Sequence, residues 1–184
     1  ATWTSSNGEV WTLNNTGAKP AQIVGSPSLL FDGAAHYMQM ATTLIQPTTI
    51  YLVGRQPTWT VDTRITDGFT NLGGRIYKAE TTPGINIYAG NLGIARNDNL
   101  ALNTYGVMTV VFYSTASSMK VDQTAATTGN AGINSMDGLT LAANGAGSEF
   151  SNWQAKRVIA RNVADSAATQ AQIQALLKQI HGTP

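Results

Sequence analysis

Ten acidic side chains and two histidines are the first candidates that this chain of 184 residues offers for proton transfer, and their spacing suits little of it. Glycoside hydrolysis needs two carboxyl groups held on facing surfaces. The glutamates, Glu9, Glu80 and Glu149, lie far apart, and Asp62 and Asp67 fall in a stretch rich in Thr, Asp and Gly. Aspartates in such stretches cap turns, and that is the reading taken for this pair. His36 and His181 have no cysteine, no second histidine at metal spacing and no serine in an elbow motif beside them. His36 is expected at a strand edge and His181 in a last helical turn, where a cation suits the dipole. A catalytic triad or a zinc site is therefore not expected. Gly73-Gly74 is not followed by the Lys and Ser/Thr of a phosphate loop. The stretch RNDN (96–99) offers oxygen ligands for calcium at Asn97 and Asp98, but the D-x-D-x-D-G spacing is missing and a plain turn is expected.

Sugar binding is the chemistry that remains. Such sites stack an aromatic ring on a sugar face and surround it with hydrogen-bonding side chains. Trp59 stands in RQPTWTVDTR, with Gln56, Asp62 and Arg64 close by, and Arg75, Tyr77 and Tyr88 fall on strands that could form a neighbouring face. Two arrangements stay open for Trp59: a ligand platform, or a lid folded over the end of the molecule. Trp11 and Trp153 stand in strand-like contexts and are read as packed, and Trp3 belongs to a terminal segment.

The elements that must position these residues are strands. VWTL (10–13), AQIV (21–24), SLLF (28–31) and HYMQM (36–40) are short apolar islands between Gly, Asn and Thr. In TIYLVGR (49–55), Ile50 and Leu52 point to one face and Tyr51 and Val53 to the other; a strand apolar on both faces belongs in the middle of a sheet. RIYKAE (75–80), GINIY (84–88) and LGIAR (92–96) follow, and the β-branched run VMTVVFY (107–113) pairs as a hairpin with SMKVDQ (118–123). GLTLAA (138–143) and WQAKRVIAR (153–161) complete the set, while 56–74 reads as loop. The chain closes with a helix over about 169–181: Thr169 and Gln172 form a capping box, and Ile173, Leu176, Leu177 and Ile180 share one face. Gly182 stands at the C-terminal cap, and Pro184 blocks continuation. So apolar a face packs either on the sandwich or on a neighbouring chain. The expectation is one all-β domain over 1–184 with a C-terminal amphipathic helix.

Composition narrows the partners. Net charge is +1 and charged residues make up 11%, with only Lys156 and Arg157 adjacent among the cations. No basic stripe is available to release counterions from a nucleic acid, no polybasic anchor meets a membrane surface, and no apolar run is long enough to span a bilayer. Cysteine is absent, so disulfides and thiolate metal sites are excluded. The uncharged polar residues Thr, Ser and Asn suit neutral hydrogen-bonding partners such as sugars. The first residue is Ala1 rather than Met, as expected of a processed chain or a piece of a longer one.

The order of the pieces has a counterpart. An early G-x-P-x-L-x-F-D-G runs from Gly25 and Pro27 through Leu29 and Phe31 to Asp32 and Gly33, and P-x-T-I-x-x-V-x-R follows at Pro47, Thr49, Ile50, Val53 and Arg55. VMTVVFYSTASSMKVDQ then runs into its hairpin, GLTLAANG precedes Phe150 or Trp153 and RVIARN, and a helix of the form T-x-A-x-I-x-x-L closes the chain. This resembles the laminin-G-like jelly rolls of the concanavalin A-like lectin and glucanase superfamily, in the versions carried by bacteriophage tail fibres and bacterial surface proteins. The resemblance implies a two-sheet antiparallel jelly-roll sandwich. It implies that Phe31 is core, that Gly33 supplies an unusual backbone conformation, and that Asp32 bonds turn amides. Family glucanases carry E-x-D-x-x-E on one strand, and this chain has no such pattern. Where many members carry an Asn-Gly corner it has Asp122-Gln123, and Ala155-Lys156-Arg157 stands where they have G-x-I-x-E. The implied function is a non-catalytic domain that binds a carbohydrate receptor, as at the tip of a trimeric tail fibre recognising a bacterial surface glycan. The alternatives are a trimerisation module of a fibre and a glycan-binding module of a secreted protein. No cofactor, nucleic acid or membrane insertion is expected, and the location implied is the virion or the extracellular space.

Overall fold

The computed structural model describes residues 2–4, 10–13, 20–22, 28–70, 73–78, 83–90 and 96–183. Two antiparallel sheets face one another. The strands are β1 (Thr2–Thr4), β2 (Val10–Leu13), β3 (Ala21–Gln22), β4 (Leu29–Asp32), β5 (Met38–Met40), β6 (Thr48–Arg55), β7 (Arg64–Asp67), β8 (Arg75–Lys78), β9 (Ile85–Tyr88), β10 (Arg96–Asn97), β11 (Gly106–Phe112), β12 (Ser117–Val121), β13 (Thr127–Gly129), β14 (Leu139–Leu141) and β15 (Asn152–Arg161). Helix α1 (Ala167–His181) follows. Among the described residues one sheet has eight strands in the order β1-β2-β5-β14-β7-β8-β9-β10, and the other seven in the order β13-β12-β11-β6-β15-β4-β3. The crossovers between strands distant in sequence are those of a jelly roll, and the fold is a jelly-roll sandwich with one C-terminal helix.

Alternation explains the packing. Ile50 and Leu52 of β6 enter the core between the sheets with Phe31, Ile76, Ile87, Met108, Val110 and Trp153. Tyr51 and Val53 turn to the other side and form a second cluster with Val107 and Leu177 of α1. A strand apolar on both faces thus lies mid-sheet, between β11 and β15, because the helix covers its second face. At the corner after β4, Asp32 Oδ1 accepts hydrogen bonds from the amides of Ala34, Ala35 and His36, each at 3.0 Å. Gly33 has φ +76°, and a Cβ there would lie 2.9 Å from Asn152 N, so both the conformation and the space require glycine. Asp32 is a turn residue, as expected.

The structure corrects several expectations. The helix starts one turn earlier than the capping box at Thr169 implied. Ser166 is the N-cap, its hydroxyl accepts from Thr169 N at 3.2 Å, and Ala167 opens the helix. The four apolar helix residues do not share the buried face: Leu177 is buried, whereas Leu176 and Ile180 are 54% and 53% exposed. Gln174 takes the inner position instead, donating from Nε2 to Thr109 Oγ1 at 2.7 Å. The stretch 56–74 contains β7, whose RITD carries only one strongly apolar residue to announce a strand, and β13 was not foreseen. Asp67 is a buried residue of β7 and caps no surface turn. Gly25, Pro27, Glu9, Glu80, Pro184 and residues 92–95 of LGIAR lie outside the described residues.

The helix is tied to the sheet by a buried polar group. Tyr51 is fully buried, and its hydroxyl donates to Asp165 Oδ2 at 2.7 Å. Asp165 N in turn donates to Thr49 Oγ1 at 3.0 Å, and Arg161 lies 3.3 Å from the same carboxylate. Burial, and then the Asp165 carboxylate, hold the Tyr51 phenol well above its ordinary range. Tyr51→Phe keeps the volume and removes the donor from a buried carboxylate. Urea denaturation is expected to show a loss of about 1–3 kcal/mol. Unchanged stability would mean that Arg161 alone satisfies Asp165.

Candidate functional site

Strands β7, β8 and β9 carry the polar face that the sequence pointed to. Ile76 of β8 and Ile85 and Ile87 of β9 enter the core, so Arg75, Tyr77, Asn86 and Tyr88 stand on the outer face by alternation. The register places them in rows: Arg64 opposite Tyr77 and Tyr77 opposite Asn86, then Arg75 opposite Tyr88. Each arginine lies over the ring opposite it, Arg64 5.1 Å from the Tyr77 centroid and Arg75 5.4 Å from that of Tyr88.

Each guanidinium is also held by a carboxylate. Arg64 Nη2 is 3.1 Å from Glu149 Oε2, which accepts as well from Asn144 Nδ2 at 2.9 Å. Arg75 Nε is 3.1 Å from Asp67 Oδ2, and the other oxygen of Asp67 accepts from Gly68 N at 2.9 Å. Burial pushes the Asp67 carboxyl up to about 6, against the lowering by Arg75 and the Gly68 amide. Burial likewise raises Tyr77, and the charge of Asp62 adds to it, while Asn86, Arg64 and Arg75 pull the other way. The Tyr77 phenol is therefore a neutral hydrogen-bonding group at physiological pH. The arrangement is two half-exposed phenol rings, each held against an ion-paired arginine.

Of the residues the sequence singled out, Arg64, Arg75, Tyr77 and Tyr88 come together on this face. Asp62 stands beside them, exposed, in a tight turn with φ +59°, and its carbonyl accepts from Arg64 Nη1. Gln56 does not join them: it is fully buried and donates from Nε2 to Leu100 O at 3.0 Å. Trp59 faces the other side of β8. Lys78 alternates to the same side as Ile76, is fully buried, and has its Nζ 6.0 Å from the Trp59 ring. The ammonium donates to Thr58 O and Asn152 O, both at 3.0 Å, and burial pulls its pKa down to about 8. Half-buried over this cation, Trp59 has the geometry of a lid.

Asn86, Asp67 and Glu149 belong to the face and were not foreseen. The alternation in GINIY was the available signal for Asn86. None existed for Glu149, which reaches Arg64 only through tertiary structure. Asn97 and Asp98 form a turn: Asn97 Oδ1 accepts from the Asn99 amide at 3.0 Å, and Asp98 pairs with Arg96 at 2.8 Å. Among the described residues no group of three or more His, Cys, Asp or Glu lies together where it could hold a metal ion.

No protein-family model matches the sequence, and no curated protein matches it. Solved structures do match in fold. The binding domain of botulinum neurotoxin serotype D superposes with a TM-score of 0.67 at 6% identity, over 94% of this chain and 48% of that one. The receptor-binding domain of botulinum neurotoxin type G gives 0.57 at 10% identity, over 96% and 44%. A Trypanosoma rangeli sialidase in complex with sialic acid gives 0.55 at 12% identity, over 96% and 30%. The chain thus spans less than half the length of each structure it matches here, and at these identities the likeness is one of fold: the β-sandwich is shared with domains of binding proteins and of a glycan-processing enzyme.

Proposed function

We propose that this domain is a non-catalytic receptor-binding module that takes a glycan on the outer face of β7, β8 and β9. The observation that carries the reading is the pair of half-exposed rings, Tyr77 and Tyr88, each immobilised by an ion-paired arginine. Rings fixed before the ligand arrives cost little entropy on binding, and a neutral phenol can donate to or accept from a sugar hydroxyl. Asp62 at the edge and Asn86 between the rows supply further polar groups. The fold neighbours, a toxin binding domain, a toxin receptor-binding domain and a sialidase in complex with sialic acid, support a binding role for such a sandwich. The partner proposed is a bacterial surface polysaccharide. The setting proposed is the host-recognition end of a bacteriophage tail fibre, extracellular or on the virion, with three copies side by side.

Tyr77→Ala and Tyr88→Ala are expected to weaken binding to bacterial polysaccharides on an array by roughly tenfold or more each, about 1.4 kcal/mol. The cost in stability is expected to be about 1 kcal/mol, from the lost cation–π contact. No signal for any polysaccharide with the parent protein would count against the reading, and so would binding indifferent to both substitutions. A trimerisation module is the second reading, favoured by the exposed Leu176 and Ile180 on the outer side of α1. Light scattering separates the two: a mass near three times 19.4 kDa that falls when both residues become Asn, with no glycan bound, would favour the module.

A further inference from the structure

The opposite sheet gathers positive charge that no carboxylate among the described residues pairs with. Among the described residues Arg64, Arg75, Arg96, Arg161 and Lys178 have carboxylate partners. Arg55, Lys78, Lys120, Lys156 and Arg157 have none. Three of these five, Arg55, Lys156 and Arg157, meet at one corner of the seven-stranded sheet. Tyr105, two residues before the outer-facing Val107, stands at its centre, with Arg55 5.2 Å and Lys156 Nζ 4.0 Å from the ring centroid. A bulge in β15 between Ala155 and Arg157 puts these two consecutive cations at the corner, where strict alternation would have separated them.

Among the described residues the partners of Arg55 and Lys156 are neutral. Arg55 Nε donates to Gln154 Oε1 at 2.6 Å, and Lys156 Nζ donates to His181 O at 3.0 Å. His181 closes the corner from the end of α1. Its ring is driven toward the neutral form by burial first, then by the charges of Arg157 and Lys156, which places both cations near it. His181 Nε2 is buried and has no hydrogen-bond partner among the described residues. Asp122, at the end of β12, is already engaged by Val107 N at 3.1 Å and by Lys178 at 3.8 Å.

We propose that this corner is a second binding site, for a carboxylate group of an acidic polysaccharide. Two guanidiniums present the planar fork that matches a carboxylate, and the lysine supplies a point charge beside them. Three cations on a chain of net charge +1 suit an isolated acidic group on a sugar chain. They do not suit a nucleic acid, whose phosphates recur every few ångströms and demand an extended basic surface. The site lies on the other sheet from Tyr77 and Tyr88 and does not depend on the glycan reading of that face.

The test is an NMR titration of the full chain, following arginine Nε–H and tyrosine ring signals. The probes are an oligogalacturonate, a neutral dextran of equal length and a single-stranded oligonucleotide. The expected result is saturable shifts at Arg55, Arg157 and Tyr105 with oligogalacturonate, weakened by salt and absent with dextran. Arg55→Gln and Arg157→Gln are each expected to weaken binding by roughly fivefold or more, and together to abolish it, with a cooperative melting transition retained. Tyr77→Ala should leave these shifts intact, which separates this site from the other face. Absence of saturable shifts with oligogalacturonate would overturn the proposal. Shifts that survive the double substitution, or tighter binding of the oligonucleotide than of oligogalacturonate, would do so equally.

Discussion

In Lys78→Met the rise in stability between pH 8 and pH 10.5 should disappear. The folded protein holds this ammonium fully buried, with a pKa lowered to about 8 from 10.5. In the unfolded chain the lysine regains its ordinary value. Between these limits the unfolded state keeps a proton that the folded state has released, so raising the pH favours folding. Below about pH 8 both states are charged and the folded one carries the whole desolvation cost, roughly 3 kcal/mol for a shift of this size. The carbonyls of Thr58 and Asn152 offset part of it. Methionine keeps the apolar stem and removes the charge. Urea denaturation across the window should therefore show the parent gaining roughly 3 kcal/mol relative to the variant. The shift of Asp67 acts between 3.8 and about 6 and does not overlap, and the shifted groups Lys120, Tyr51 and Tyr77 are common to both proteins and cancel in the comparison. Parallel curves for the two proteins would mean that water reaches the ammonium, and would sink the account of Trp59 as its lid.

Gly54→Ala should destabilise the protein by about 3 kcal/mol or more, the upper end of overpacking costs. Gly54 lies on β6, opposite Ala155 of β15 and Gly106 of β11, so it has a partner strand on each side. A Cβ there would lie 2.4 Å from Trp153 Cζ2 and 2.6 Å from Gln154 O. The first contact involves the largest fully buried side chain among the described residues, and the second involves backbone in a central pairing. No rotamer change relieves the second, so the strands must part or the ring must move through a filled core. Chemical denaturation measures the loss, and Trp153→Phe supplies the control by shortening the ring. The double variant should recover part of the cost, because the ring contact goes while the backbone contact stays. Simple additivity of the two substitutions would show that the indole is not what the new methyl meets.

Much of this fold could be read locally. β6 and β11 announced themselves because Ile50–Val53 and Val107–Phe112 are apolar or β-branched on both faces, which only a central strand tolerates. Asp32 announced its turn because a carboxylate before glycine caps its own amides. β7 was hidden because RITD carries one strongly apolar residue, and its burial comes from β14 and β8 on either side. The helix was legible as a helix but not in its facing. Periodicity marks a stripe of apolar residues, whereas docking on Tyr51, Val53 and Val107 chose Leu177 and Gln174 and left Leu176 and Ile180 outside.

The same division runs through the two sites. Residue types and alternation in RIYK and NIY were enough to put Arg75, Tyr77 and Tyr88 on one face, since side-chain direction in a strand follows from sequence parity. Whether a polar residue faces a ligand or the interior does not follow from parity. Gln56 and Lys78 went inside because Leu100 O, Thr58 O and Asn152 O were there to receive their hydrogen bonds. Charge balance is also a tertiary property. In the sequence Arg55, Lys156 and Arg157 are scattered cations in a nearly neutral chain. Sheet order, the bulge in β15 and the end of α1 bring them together around Tyr105, with no carboxylate partner among the described residues. The sequence by itself therefore determined most of the strands, β7 and β13 excepted, and which polar and aromatic groups share a face. Only the tertiary structure decided which of those groups are already spent on one another, because pairing energies depend on distance through space and not along the chain.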